Sequence, residues 1–231
     1  MRYKEFIIEG RNAVLEAFRA GKTIDKLFVL DGCQDGPVKS ILREAKKTDT
    51  IINFVDKERL DRLANSGHHQ GVVAQAAAYE YAEVEDILNA AREKGEAPFI
   101  FILDEIEDPH NLGAIIRTAN LCGAHGVIIP KRRAVGLTAT VAKTSAGAVN
   151  YTPVAKVTNI AKTIEELKKE GMWFVSADMD AQTMYDLNLT GPIGLVIGNE
   201  GAGVSRLVKE KCDFTASIPM AYEIVRQRLK A

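Results

Sequence analysis

Two patterns of hydrophobic positions run along this chain. From Phe99 onward, short apolar runs (Phe99–Leu103, Gly126–Ile129, Trp173–Val175, Ile193–Ile197 and Thr215–Ile218) are mostly separated by segments with apolar residues at helical spacing. Those segments are Leu112–Cys122, Leu137–Ala146, Ile160–Glu170 and Val204–Lys211. Strands apolar on both faces, alternating with helices, predict a parallel sheet covered on both sides. Earlier in the chain, Lys26–Leu30, Ile51–Val55 and Gly71–Ala76 read as strands, and Asn12–Phe18, Val38–Ala45 and Lys57–Ala64 as helices. They form a smaller α/β unit ending near Ala78. Between them, Val84, Ile87, Leu88 and Ala91 lie at helical spacing among charged residues, and Lys94–Pro98 is turn-like. The organisation expected is a first domain over 1–78, a linker with one amphipathic helix over 79–97, and a second domain over 98–231.

Composition narrows this picture. The chain has 231 residues, 46% hydrophobic and 26% charged, which is ordinary globular usage. No apolar run approaches the roughly 20 residues that span a bilayer, and the first residues do not lead into a signal-peptide core, so a soluble cytoplasmic protein with no membrane partner is expected. A net charge of -1 argues against non-specific coating of nucleic acid but leaves room for a local basic face. Cys33, Cys122 and Cys212 are widely spaced, so neither a disulfide framework nor a zinc site is indicated. His68 and His69 have no carboxylate or thiolate partners at ligand spacing, so no metal is expected.

Candidate chemistry concentrates in two stretches. In Asp108-Pro-His-Asn-Leu-Gly-Ala-Ile-Ile-Arg117-Thr118, a strand gives way to a loop and a helix start, with Asn111 as the expected N-cap. Gly113 and Arg117 share a helix face, and a long helical side chain leans toward the N-terminus, so Arg117 reaches over a position with no side chain. A ligand could approach the guanidinium there, at the strand end where open α/β sheets bind their ligands. An ordinary capped helix with a solvated arginine fits the same residues. The second stretch, Ile197-Gly-Asn-Glu-Gly-Ala-Gly-Val204, follows a buried strand and opens a helix. Its Gly198-x-x-Gly201-x-Gly203 spacing differs from the dinucleotide fingerprint and carries a carboxylate where phosphate would sit, which disfavours a Rossmann site.

Taken together, Asn111-x-Gly113-x-x-x-Arg117-Thr118, Gly198-Asn199-Glu200-Gly201-x-Gly203 and Ile218-Pro219-Met220 resemble in order and spacing the motifs of the SpoU/TrmH family of RNA ribose 2′-O-methyltransferases. His69–Ala74, Asp108–Gly113 and Pro130–Gly136 look like the RlmB-like branch, which methylates a guanosine of large-subunit ribosomal RNA. The resemblance implies an N-terminal RNA-binding domain similar to a ribosomal protein. It also implies a C-terminal parallel-sheet SPOUT domain with a trefoil knot, S-adenosylmethionine bound in the knot loops, and a homodimer. It further implies Arg117, Asn111 and Glu200 as catalytic residues, and Gly198, Ile218, Met220, Asn199, Gly201 and Thr144 as cofactor-binding residues. Tyr3, Phe6, Arg11 and Arg19 are RNA contacts by resemblance. Lys131, Arg132 and Arg133 are suited to phosphate, although a solvated basic loop fits their spacing equally.

The chemistry agrees with these residue types. Methyl transfer to an oxygen is an in-line displacement in which orientation and removal of the hydroxyl proton matter most. Arginine, with a pKa above roughly 12, is a poor base, so Arg117 is expected to orient the hydroxyl and stabilise developing alkoxide, with a neighbouring phosphate taking the proton. The sequence departs from the family after Met220, which runs directly into Ala221–Ala231 without the family's Ser-Leu-Asn signature. If that signature is truly deleted, the alternative is a non-catalytic RNA-binding or ribosome-assembly protein; a separate alternative is a transfer RNA 2′-O-methyltransferase.

Overall fold

The computed structural model describes residues 6–218 except Gln34. These residues group into two units. One contains the residues up to Glu80 together with Gly136–Thr144; the other contains Tyr81–Val135 and the residues from Ser145 onward.

The first unit begins with β1 (Ile7–Glu9), α1 (Arg11–Arg19), β2 (Ile24–Leu30), α2 (Gly36–Lys47), β3 (Ile51–Val55), α3 (Lys57–Leu63) and β4 (Val72–Ala76). Its sheet runs β1-β4-β2-β3, with β2 parallel to β3 and antiparallel to β4. The alternation along β2 divides the core. Leu27 and Val29 meet Val14, Ala17 and Phe18 of α1 and Val38, Ile41 and Ala45 of α2, while Phe28 meets Leu60 of α3 on the opposite face. Burying an aliphatic or aromatic side chain contributes about 1.5–3 kcal/mol, so these contacts position the helices. Carboxylate caps fix two helix starts: Asp35 accepts from the Val38 N–H at 3.2 Å and Asp56 from the Arg59 N–H at 2.7 Å. The short strand β1, which the hydrophobic pattern does not reveal, pairs antiparallel with β4.

The second unit contains α4 (Val84–Lys94), β5 (Phe99–Leu103), α5 (Pro109–Leu121) and β6 (Gly126–Pro130). After α6 (Ala139–Thr144), which belongs to the first unit, it continues with β7 (Val154–Val157), α7 (Ile160–Lys169), β8 (Trp173–Thr183), β9 (Ile193–Ile197), α8 (Arg206–Lys209) and β10 (Phe214–Ser217). Its six strands run β10-β8-β9-β5-β6-β7, all parallel, as the doubly apolar runs predict. Ile100, Ile102, Ile128 and Val196 share a core with Ile87 of α4 and Ile164 and Leu167 of α7.

Several expectations are corrected. Residues 154–157 form an edge strand, β7, that the hydrophobic pattern passes over. The strand starting at Trp173 continues to Thr183, with a register shift in its pairing with β10. The helix expected over Val204–Lys211 is only the four residues of α8, and that expected over Leu137–Ala146 shortens to α6. Asn111 is not an N-cap: α5 starts at Pro109 and Asp108 caps it, accepting from the His110 N–H at 2.8 Å. Proline is favoured at the first helical position, so Asp108-Pro109 is the stronger start signal.

Candidate active site

The strand order places the C-terminal ends of β9, β5 and β6 side by side, and three loops leave them. The loop after β5 begins with Asp104, which is buried and bound on both sides. Its N–H donates to the Ile197 carbonyl at 2.8 Å, and its carboxylate accepts from the Ser205 N–H ahead of α8 at 2.8 Å. Glu105 follows in a left-handed backbone conformation, φ +60°, which is uncommon for a residue with a side chain. Its carbonyl accepts from Asn199 Nδ2 at 3.1 Å and its carboxylate from Arg133 Nη1 at 2.8 Å. Arg133 is also left-handed, φ +54°. The Glu105 hydrogen bond and charge hold the Arg133 guanidinium above its ordinary pKa. A backbone bond from Val135 N–H to the Ile106 carbonyl, 2.9 Å, closes the same pair of loops.

The glycine-rich loop after β9 is organised by Asn199. Its backbone pairs reciprocally with Gly203 at 3.0 and 2.8 Å, and its Oδ1 accepts from the Gly201 and Ala202 N–H groups at 2.9 and 3.3 Å. Gly198 lies against the far side of this turn, where a Cβ would fall 2.0 Å from the Gly203 carbonyl carbon and 2.1 Å from the Val204 nitrogen. No side chain fits there.

Between the two motif loops lies an open cleft of about 450 Å³ lined by Ile106, Glu107, Asp108, Asn111, Asn199, Glu200 and Gly201. Asn111 Nδ2 donates across it to Glu200 Oε2 at 3.4 Å, joining motifs 89 residues apart. Three of the lining residues are carboxylates and none is a cation. Arg117 is absent from the lining. At about 100° per residue it sits roughly 120° around α5 from Asn111; it is exposed and has no polar partner among the described residues.

The remaining candidates have diverse surroundings. Asn199 divides its side chain between its own loop, through Oδ1, and the Glu105 carbonyl, through Nδ2. The backbone N–H and C=O of Gly198 and Ile218 form no hydrogen bond with other described residues. Thr144 ends α6 with its hydroxyl bonded back to the Thr140 carbonyl at 2.9 Å. Met220 and Tyr3 lie outside the described residues, as does the junction with Ala221. Lys131 continues β6, its N–H donating to the Val157 carbonyl at 2.8 Å, and Arg132 is exposed with no partner among the described residues. Arg11 has an occupied guanidinium: it pairs with Asp35 at 2.7 Å and donates through Nε to the Gln70 carbonyl at 3.0 Å. Phe6 is exposed and Arg19 pairs with Glu16. Both nitrogens of the buried His69 ring are bonded, Nδ1 to the Gly71 N–H and Nε2 to Asp61.

Glu105, Glu107 and Asp108 belong to the site without having been singled out as site residues by sequence reasoning. Asp108 had a local signal in the following proline. Nothing local marks Glu105, whose conformation is set by partners 28 and 94 residues away.

A fully parallel sheet with a polar cleft at its strand ends has the arrangement of α/β proteins that bind ligands outside the carboxyl ends of their strands. Residues 98–225 match the SpoU rRNA Methylase family, and residues 7–82 match the RNA 2′-O ribose methyltransferase substrate-binding family. The chain is 52% identical over 217 residues to YacO of Bacillus subtilis, named as a TrmH family tRNA/rRNA methyltransferase, covering 93% of this chain and 86% of that protein. It is 49% identical over 218 residues to a Staphylococcus haemolyticus protein named in the same way, covering 94% and 87%. The chain belongs to the SpoU/TrmH family of RNA methyltransferases. The fold is shared with AviRb of Streptomyces viridochromogenes, a SpoU methyltransferase solved with AdoMet (TM-score 0.55, 24% identity, 98% of this chain and 92% of that one). It is shared as well with an AdoMet-bound rRNA methyltransferase of Sinorhizobium meliloti (TM-score 0.54, 22% identity, 94% and 79%).

Proposed function

We propose that this protein transfers the methyl group of S-adenosylmethionine to the ribose 2′-hydroxyl of a guanosine in large-subunit ribosomal RNA, as a cytoplasmic homodimer whose C-terminal sheet ends in a trefoil knot. The division 1–78, 79–97 and 98–231, with RNA recognition in the first segment and transfer in the last, is part of this reading. The observation that carries it is the meeting of Asn111 and Glu200 across one cleft at adjacent strand ends. That contact joins two of the three motifs on which the family resemblance rests.

The residues fit the cofactor. Gly198 and Ile218 follow the C-terminal ends of β9 and β10, which run parallel in one sheet, and their backbone donors and acceptors have no partner among the described residues. They would hold it together with Met220, Asn199, Gly201 and Thr144. When bound, S-adenosylmethionine supplies an electrophilic methyl group on a sulfonium.

The protein's own residues do the rest. With three carboxylates and no cation on its walls, the cleft suits a neutral hydroxyl or a cationic group and repels phosphate. Phosphates beyond the reacting nucleotide are therefore held outside it by Arg132, Lys131 and Arg133, and in the first unit the RNA would share the Arg11 guanidinium with Asp35. Asn111 and Glu200 present an amide and a carboxylate to the ribose edge and fix its orientation. Arg117 lies outside the cleft lining and has no polar partner among the described residues; in this reading its planar fork meets the hydroxyl oxygen of the bound RNA and stabilises negative charge as it develops. The proton passes to a neighbouring phosphate of the RNA.

A second reading, methylation of transfer RNA, is favoured by the names of the Bacillus and Staphylococcus relatives, which cite both RNAs. The test is methyl transfer from labelled S-adenosylmethionine to defined transcripts, followed by mapping of the modified nucleotide, with light scattering for the dimer. A 2′-O-methylguanosine in 23S RNA establishes the first reading and modification of transfer RNA alone establishes the second. Absence of cofactor binding by calorimetry would leave the non-catalytic alternative.

A further inference from the structure

Helix α2 carries an unusual concentration of positive charge. Lys39, Arg43, Lys46 and Lys47 lie on its twelve residues against one acid, Glu44. Glu44 is already taken, paired with Lys47 at 2.8 Å. Lys39, Arg43 and Lys46 are exposed and have no polar side-chain partner among the described residues. No other helix of the described residues has so large an excess. α7, for example, balances Lys162, Lys168 and Lys169 with Glu165 and Glu166.

The three free cations form a stripe. At about 100° per residue they fall within roughly 60° of arc, about 6 and 4.5 Å apart along the axis. They face away from Val38, Ile41 and Ala45, which anchor the helix to the core. This arrangement works against the helix itself. Like charges three and four residues apart destabilise it, and Lys39, near the N-terminus, opposes the helix dipole that Lys46 complements. A solvated face chosen for helix stability would interleave acids. A row of cations spaced along one face is suited to successive phosphates of a nucleic-acid strand.

We infer that the Lys39–Arg43–Lys46 face of α2 is an RNA-docking surface, contacting the phosphodiester backbone of the substrate without reading its sequence. The inference rests on the reading of the chain as an RNA-modifying enzyme and identifies where the first unit grips that RNA. It differs from the Arg11 position, whose guanidinium is committed to Asp35 and Gln70.

α3 provides a matched control. Lys57, Arg59 and Arg62 are also exposed, but α3 packs on the opposite face of the sheet through Leu60, and its cations are spread over about 200° of arc. The experiment compares full-length wild type, Lys39→Gln/Arg43→Gln/Lys46→Gln and Lys57→Gln/Arg59→Gln/Arg62→Gln, which each remove three charges. Filter binding uses 23S RNA transcribed in vitro and, in parallel, bulk transfer RNA, from about 0.05 to 0.3 M salt. Thermal unfolding checks that both variants fold.

The α2 variant is expected to bind about 10- to 50-fold more weakly near 0.15 M salt, with a log–log salt slope shallower by about 2, while the α3 variant stays within about threefold of wild type. Equal behaviour of the two variants, whether both unchanged or both weakened, overturns the assignment. So does wild-type RNA binding that is indifferent to salt. Methyl transfer by wild type to the same RNAs is read separately. α2-dependent binding without transfer upholds this surface and sinks the proposed reaction.

Discussion

Gly198 packs against the peptide between Gly203 and Val204 so closely that a Cβ would lie 2.1 Å from the Val204 nitrogen. Because the obstructing atoms are backbone, relief requires the glycine-rich turn to open. Gly198→Ala should therefore lower cofactor affinity at least about tenfold and cost about 1–3 kcal/mol of stability, in the range of overpacking. At Gly201 a Cβ meets only Asn199 Oδ1 at 3.6 Å, an ordinary contact, so Gly201→Ala should preserve folding. Calorimetry and thermal unfolding of the two variants check the contrast.

Arg117 is exposed and has no polar partner among the described residues. Arg117→Ala should abolish turnover, by about a thousandfold or more, while leaving cofactor affinity and melting temperature near wild type. Arg117→Lys should rescue little, because a point charge cannot reproduce the planar fork. Equal loss of cofactor affinity and turnover would refute a role confined to the hydroxyl.

Asn111 faces Glu200 at 3.4 Å. In Asn111→Asp two carboxylates would confront each other across the cleft, beside Glu107 and Asp108. Turnover should fall at least about threefold below that of Asn111→Ala, and Glu200→Gln in the same chain should recover part of it. Steady-state kinetics on the single and double variants measure the coupling.

Glu105 and Arg133 pair at 2.8 Å while both hold left-handed backbones. Arg133 is largely exposed, and exposed ion pairs contribute little to stability, so Arg133→Ala should leave the melting temperature within about 1–2 °C. Backbone strain at Glu105 is a different matter. Glu105→Gly should hold or raise the midpoint, whereas Glu105→Val should lower it by about 3–6 °C, since a β-branched residue tolerates this conformation worst. Scanning calorimetry separates the two effects.

Burial pushes the Cys212 thiol up from its ordinary value of 9.0 to about 11, against a smaller opposing pull from Lys168. The folded state thus favours the neutral thiol. The stability this group contributes is whole below pH 9 and is lost as pH rises through about 11. Cys212→Ala should flatten that limb of the stability profile. At pH 8 a thiol reagent should label the exposed Cys122 well before Cys212.

By itself, the sequence determined the class of fold and the two motif loops. Continuous apolar runs such as Phe99–Leu103 and helical spacing such as that of Val38, Ile41 and Ala45 are local consequences of backbone periodicity. They need no knowledge of neighbours, so the parallel sheet and most helices were legible. Tertiary structure decided what depends on distant partners. Edge strands β1 and β7 exist because β4 and β6 offer them hydrogen bonds. The tertiary fold also committed Arg11 to Asp35 and bent Glu105 to meet Arg133 and Asn199. Asn111 left the cap to Asp108 and turned to Glu200. These are matches of charge and hydrogen bonding between residues far apart in the chain, and they take shape only when strand order brings the loop ends together.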